Sequence, residues 1–104
     1  MRKRGRSDAN QEEVVRILRL YPNISVAVTS AIGEGFPDIV VGFKGKNYLF
    51  EIKDPNQPPS KRRLTEQEYN FHRRWQGQCV IAETVRDILI TIKFARKENP
   101  SCVN

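Results

Sequence analysis

The chain has 104 residues, the length of one domain. A hydrophobic share of 38% fits a folded protein with one modest core and argues against intrinsic disorder. Eighteen Lys and Arg against twelve Asp and Glu leave a net charge of +6, with a pI near 9.7. That excess points to a polyanionic partner, with nucleic acid first in line, although composition alone also fits a protein that is merely basic. No apolar stretch approaches the ~18 residues of a membrane span. No apolar run follows the basic start, Met1 to Arg6, so a secretory signal is not expected. Cys79 and Cys102 lack zinc-type spacing, and His72 has no ligand partner nearby in sequence. Both cysteines read as reduced thiols of an intracellular, cytoplasmic protein.

In chain order, a basic arm over residues 1–7 precedes a helix predicted from about Asp8 to Tyr21. Asp8 is its expected N-cap, with Gln11 at the N3 position of a capping box. Val14, Ile17, Leu18 and Tyr21 form one apolar stripe, and Pro22 ends it. Ile24 to Thr29 reads as a short strand. Gly33-Glu34-Gly35 is a flexible break, and Pro37 leads into a second strand, Asp38 to Gly42. Turn chemistry over Phe43 to Asn47 joins it to an antiparallel partner, Tyr48 to Lys53. Both strands are apolar on both faces, as in a sheet with helices on each side.

Asp54 to Arg63 holds three prolines and the triplet Lys61-Arg62-Arg63, and reads as an exposed loop. Thr65 and Glu68 then form a second capping box, with Leu64 and Tyr69 placed as a hydrophobic staple. This helix is predicted to run to about Trp75 and to end at Gly77. Gln78 to Glu83 is a fourth strand. Thr84 caps a last helix that carries Val85, Ile88, Leu89 and Ile92 on one face, and the tail over 97–104 looks frayed. The order is α-β-β-β-α-β-α, an α/β layer architecture around a central mixed sheet flanked by helices.

The chemistry concentrates in Pro37-Asp38, followed after twelve residues by Glu51-Ile52-Lys53. Side chains two apart on a strand share a face, so Glu51 and Lys53 point the same way. The hairpin can bring Asp38 beside Glu51. Two carboxylates suit Mg²⁺ or Mn²⁺, and the Ile52 carbonyl can add a third oxygen. Such an ion polarises a phosphate oxygen and lowers the pKa of bound water. Lys53 can orient that water and offset the charge that grows in the transition state. It could serve as a base only if its pKa were depressed. A strand ending in Glu-x-Lys is by itself ordinary surface chemistry. Here the charges interrupt strands that are otherwise apolar on both faces, where an unpaired charge costs several kcal/mol.

The segment Gly35-Phe36-Pro37-Asp38-Ile39-Val40-Val41-Gly42, followed by Tyr48-Leu49-Phe50-Glu51-Ile52-Lys53-Asp54, resembles the VRR-NUC (viral replication and repair nuclease) group of the PD-(D/E)xK superfamily. The likeness is to its small, stand-alone phage form. It continues through Pro58-Pro59-Ser60, Leu64-Thr65 and Trp75-Gln76-Gly77, and spans roughly residues 7 to 95. Archaeal-type Holliday junction resolvases are among the relatives of that group. The resemblance implies a restriction-endonuclease-like core, divalent-metal catalysis, a homodimer and a preference for branched or flapped DNA. It implies work in the cytoplasm of a bacterial or phage-infected cell. It also implies a Glu ligand on the first helix, where this chain has Gln11, which reads equally well as a capping residue. Gln67 falls where the superfamily often places a polar residue near the metal.

The expected DNA-backbone contacts are Arg2, Lys3, Arg4 and Arg6 in the arm, Lys44 and Lys46 in the hairpin turn, and Lys61, Arg62 and Arg63 before the second helix, with Arg73 and Arg74 as further candidates. Trp75, Tyr69 and Phe71 recur at helical spacing and are expected in the core. His72 reads as an ordinary helix histidine. The helix from Thr65 and its apolar surroundings are the candidate dimer face. A sequence- or mismatch-specific endonuclease and a non-catalytic DNA-binding module are the competing readings of the same residues.

Overall fold

The computed structural model describes residues 5–94, and their side chains from residue 9 onward. The elements follow in the expected order: α1 (Gly5–Leu18), β1 (Ser25–Val28), β2 (Ile39–Phe43), β3 (Lys46–Ile52), a 3₁₀ turn (Pro59–Lys61), α2 (Glu66–Arg74), β4 (Cys79–Ala82) and α3 (Val85–Thr91). The four strands form one mixed sheet in the order β1-β2-β3-β4. The first two pairings are antiparallel, and β3 pairs β4 in parallel.

Alternation along the strands sorts the two faces. Ile39, Val41 and Phe43 of β2 lie beside Tyr48, Phe50 and Ile52 of β3 on one face. That face packs against Val14, Val15 and Leu18 of α1 and Ile88 and Ile92 of α3, which together form the core. Each such buried side chain contributes roughly 1.5–3 kcal/mol. The opposite face carries Leu49, Glu51 and Lys53, and α2 lies over it. Helices therefore stand on both faces as expected, but unevenly: α2 has no buried residue at all.

Three boundaries differ from the sequence reading. α1 already runs at Gly5, so Asp8 is inside the helix and not its N-cap, and Gln11 is not the N3 partner of a capping box. Nothing in Arg6-Ser7-Asp8-Ala9-Asn10 breaks a helix, and a carboxylate in the first turns suits the positive end of the helix dipole. At the other end regular helix stops at Leu18, because Leu20 and Tyr21 bond to the carbonyls three residues back. Tyr21 still reaches the core, edge-on to Phe94 at 5.1 Å. The hairpin turn is only Lys44-Gly45, both at positive φ, and Phe43 pairs directly with Lys46. Both later capping boxes form: Thr65 with Glu68, and Thr84 with Asp87.

Among the described residues no helix is long and apolar enough to cross a membrane.

Candidate active site

The site sits where β2 begins and β3 ends. Asp38 stands one residue ahead of β2, and its backbone is held on both sides. Its N–H donates to the Phe50 carbonyl at 2.9 Å, and its carbonyl accepts from Thr29 at 2.8 Å. The paired register ends at Ile39 with Phe50, and Asp38, whose own N–H bonds that same Phe50, stands where the regular ladder stops; its carboxyl hydrogen-bonds that of Glu51. Both carboxyls feel the charge of Glu68, which sets them toward α2. The Asp38 side chain also accepts the Ile52 N–H, at 2.8 Å. A residue in a strand directs its N–H and C=O to the same side. The Ile52 carbonyl thus faces the end of β2, beside Asp38.

Glu51 is only 4% exposed. Burial, the Asp38 charge and the Glu68 charge push its carboxyl up to about 9, so at neutral pH it holds a proton that it shares with Asp38 and Glu68. Burial also raises Asp38, against the opposing effect of the Ile52 N–H. Lys53 lies on the same face, its Nζ 3.5 Å from Glu51 and 3.0 Å from Glu68. Burial works against its charged form, but the Glu68 hydrogen bond and the surrounding carboxylates outweigh it and raise the pKa. Lys53 therefore stays an ammonium. The condition for a base role, a depressed pKa, is not met.

Glu68 is the functional residue that the sequence reading missed. It was visible only as a capping partner, and it does accept the Thr65 N–H at 2.8 Å. The same oxygen accepts from Lys53 Nζ at 3.0 Å. Burial opposes its ionised form, yet the Thr65 N–H and the bonds from Glu51 and Lys53 lower its pKa below the usual value. The N-terminus of α2 is thereby tied to the end of β3. His72, one turn further along α2, feels the same group. Burial and the Lys53 charge lower its pKa against the pull of Glu68, and its Nε2 is buried without a partner among the described residues. No sequence signal marked either residue, because both reach the site only through the docking of α2.

That docking depends on Gly35. It has φ +83°, and a Cβ there would collide with the Gln67 carbonyl oxygen. The loop leading to Asp38 can lie this close to α2 only with glycine at that position. The Gln67 side chain itself is exposed, and this turn of α2 meets the end of β3 through Glu68. Gln11 is 8% exposed and its amide donates to Ser30 at 3.4 Å. The α1 residue that reaches the end of β3 is its neighbour Asn10, which donates to the Lys53 carbonyl at 3.2 Å and the Glu83 carbonyl at 3.4 Å.

The basic candidates divide. Lys61 and Arg63 are exposed on the loop that runs into α2. Arg62 is turned inward onto Glu83 at 3.3 Å, so its charge is already matched. Lys44 and Lys46 lie at the far end of the hairpin, five strand residues or about 16 Å from Asp38. Arg2, Lys3 and Arg4 lie outside the described residues, as does the Arg6 side chain. Tyr69 and Trp75, expected in the core, are 56% and 43% exposed. The sheet face beneath α2 is charged where Glu51 and Lys53 stand, and offers these rings no apolar bed. Phe71 is half-buried.

A divalent cation suits these residues. Two carboxyls are pressed together out of water, and Glu51 stays neutral only by holding a proton that a cation would displace. Among the described residues no group of three or more His, Cys, Asp or Glu side chains could hold a metal. The available donors are Asp38, Glu51 and the Ile52 carbonyl, all oxygen, with water to complete the shell. That set fits Mg²⁺ or Mn²⁺ and does not fit zinc. No protein-family model, curated protein or solved structure matches the chain.

Proposed function

We propose that the protein is a Mg²⁺- or Mn²⁺-dependent DNA endonuclease of the PD-(D/E)xK type, similar to the small VRR-NUC enzymes and built on a restriction-endonuclease-like core. The single observation that carries this reading is the contact of the Asp38 and Glu51 carboxyls at the end of the hairpin, with the Lys53 ammonium 3.5 Å from Glu51. Three ionisable groups at one end of a mainly apolar sheet are expensive to keep without a use.

In this reading Asp38, Glu51 and the Ile52 carbonyl hold the cation. When bound, it would polarise the scissile phosphate and acidify a water molecule. Lys53, kept protonated by its carboxylate neighbours, faces the phosphate and offsets the charge that grows on its oxygens. Glu68 holds Lys53 in place. Asn10 ties α1 to the carbonyls just past the ends of β3 and β4. Lys61 and Arg63, exposed on the loop that leads into α2, suit DNA-backbone contact. The preferred substrate is branched or flapped DNA, a two-fold homodimer supplies two sites, and the enzyme works in the cytoplasm of a bacterial or phage-infected cell.

The test is cleavage of end-labelled four-way junctions, flaps and plain duplex in Mg²⁺ or Mn²⁺, with the oligomeric state read by sedimentation. Asp38→Ala, Glu51→Ala and Lys53→Ala each abolish cutting while the circular dichroism spectrum is retained. Cutting that survives EDTA contradicts the proposal. Salt-dependent binding without turnover in either metal would favour a non-catalytic DNA-binding module.

A further inference from the structure

The aromatic residues around α2 form a connected set that the cleavage chemistry does not use. Phe71 and Trp75 stack with centroids 5.0 Å apart and an interplanar angle of 17°. Phe36 stands edge-on to both, 5.2 Å from Phe71 and 6.2 Å from Trp75. The indole nitrogen edge rests on Gly77, where a Cβ would come 2.9 Å from Nε1. Phe71 covers one face of Trp75, and Phe36 and Gly77 also lie against the indole, yet the residue remains 43% exposed. Tyr69 is also exposed, and the Arg73 guanidinium lies over its ring at 5.9 Å.

We infer that the open face of Trp75 is a stacking platform for an unpaired nucleobase of the strand bound at the Asp38–Glu51 site. The inference rests on the DNA reading above and specifies what the protein recognises in that DNA. Three observations carry it. Phe36 is two residues from Asp38, so Trp75 lies within roughly 17 Å of it, about five nucleotides of stacked strand. Exposed Arg73 and Arg74, in the last turn of α2, immediately precede this aromatic ledge in the chain. A flat ring beside cations suits a base and its phosphate, and stacking tolerates any sequence because every base has a π-face. A second copy of this chain suits the ledge less well. An isologous contact would set Arg73 and Arg74 against their own copies in a protein of net charge +6.

Trp75 is the only tryptophan, so its emission reports on this face alone. The wild-type protein is titrated in EDTA with three probes: oligothymidylate, an abasic oligonucleotide of the same length, and blunt duplex. Oligothymidylate is expected to quench the emission by about half or more, while the abasic strand and the duplex leave it nearly unchanged. By anisotropy of labelled strands, Trp75→Leu weakens oligothymidylate binding by roughly five- to a hundred-fold and leaves abasic binding as it was. Trp75→Phe, which keeps a ring in place, retains most of the affinity and controls for misfolding. Equal quenching by the abasic strand, or full affinity in Trp75→Leu, overturns the inference. So does an emission shift that follows protein concentration without DNA, which would make the ledge a face between copies. Quenching that persists in a protein that never cuts DNA would uphold the platform while refuting the nuclease. Failure of every strand to bind refutes both.

Discussion

Replacing Glu51 with glutamine removes a buried carboxyl whose ionisation the fold resists. The folded state holds that proton up to about 9, against 4.5 for an ordinary Glu. Below 4.5 both states are protonated and the group has no effect on stability. As pH rises past that value the unfolded chain releases the proton and the folded one keeps it, so the folded state loses about 1.4 kcal/mol per pH unit until its own pKa is reached. At pH 7 the accumulated cost is about 3 kcal/mol. The amide in Glu51→Gln never ionises, keeps nearly the same volume, and offers its N–H groups to Asp38 and Glu68. Thermal unfolding in EDTA should therefore show Glu51→Gln and wild type close together at pH 5. The variant should melt about 10 °C or more higher at pH 7 to 8, since 1 kcal/mol corresponds to roughly 4–8 °C in a domain of this size. Saturating Mg²⁺ should narrow or invert the gap, because only wild type offers two carboxylates to the cation. A stability difference that stays constant from pH 5 to pH 8 would refute the reasoning, since it would mean that Glu51 ionises as easily in the fold as outside it.

Three further outcomes follow from the same geometry. Glu68→Gln keeps an acceptor for the Thr65 N–H but gives up the charge that holds Lys53; cleavage should slow about ten-fold or more while stability changes by less than about 1 kcal/mol, as read by single-turnover rates and melting. Gly35→Ala drives a methyl into the Gln67 carbonyl at an unfavourable φ, and should cost more than about 2 kcal/mol in urea unfolding, with activity lost as α2 lifts from Lys53. Mg²⁺ at a hundred times its dissociation constant should stabilise wild type by about 2.7 kcal/mol, and Asp38→Asn should remove most of that gain in a calorimetric scan.

Much of the fold could be read directly from the residues, and the reasons are local. The two hairpin strands, the fourth strand and the capped helices at Thr65 and Thr84 each depend on groups within a few residues of one another. The pairing of Asp38 with Glu51 was also legible, because a tight hairpin turns a spacing along the chain into a position across it. Where the reading erred, distant residues intervened. Trp75 and Tyr69 have the helical spacing of core residues, yet the sheet beneath α2 presents Glu51 and Lys53, so the rings remain outside. Arg62 sits in a basic triplet but is matched by Glu83, 21 residues away.

The sequence by itself determined the order of elements and the set of chemically useful side chains, because alternation, turn residues and caps act over short separations. Only the tertiary structure decided what those side chains are. Packing α2 against the end of β3 turned a capping glutamate into the partner of Lys53, kept that lysine charged, and left Glu51 holding a proton at neutral pH. Protonation and pairing depend on burial and on charges from other elements, and those distances exist only once the chain has folded.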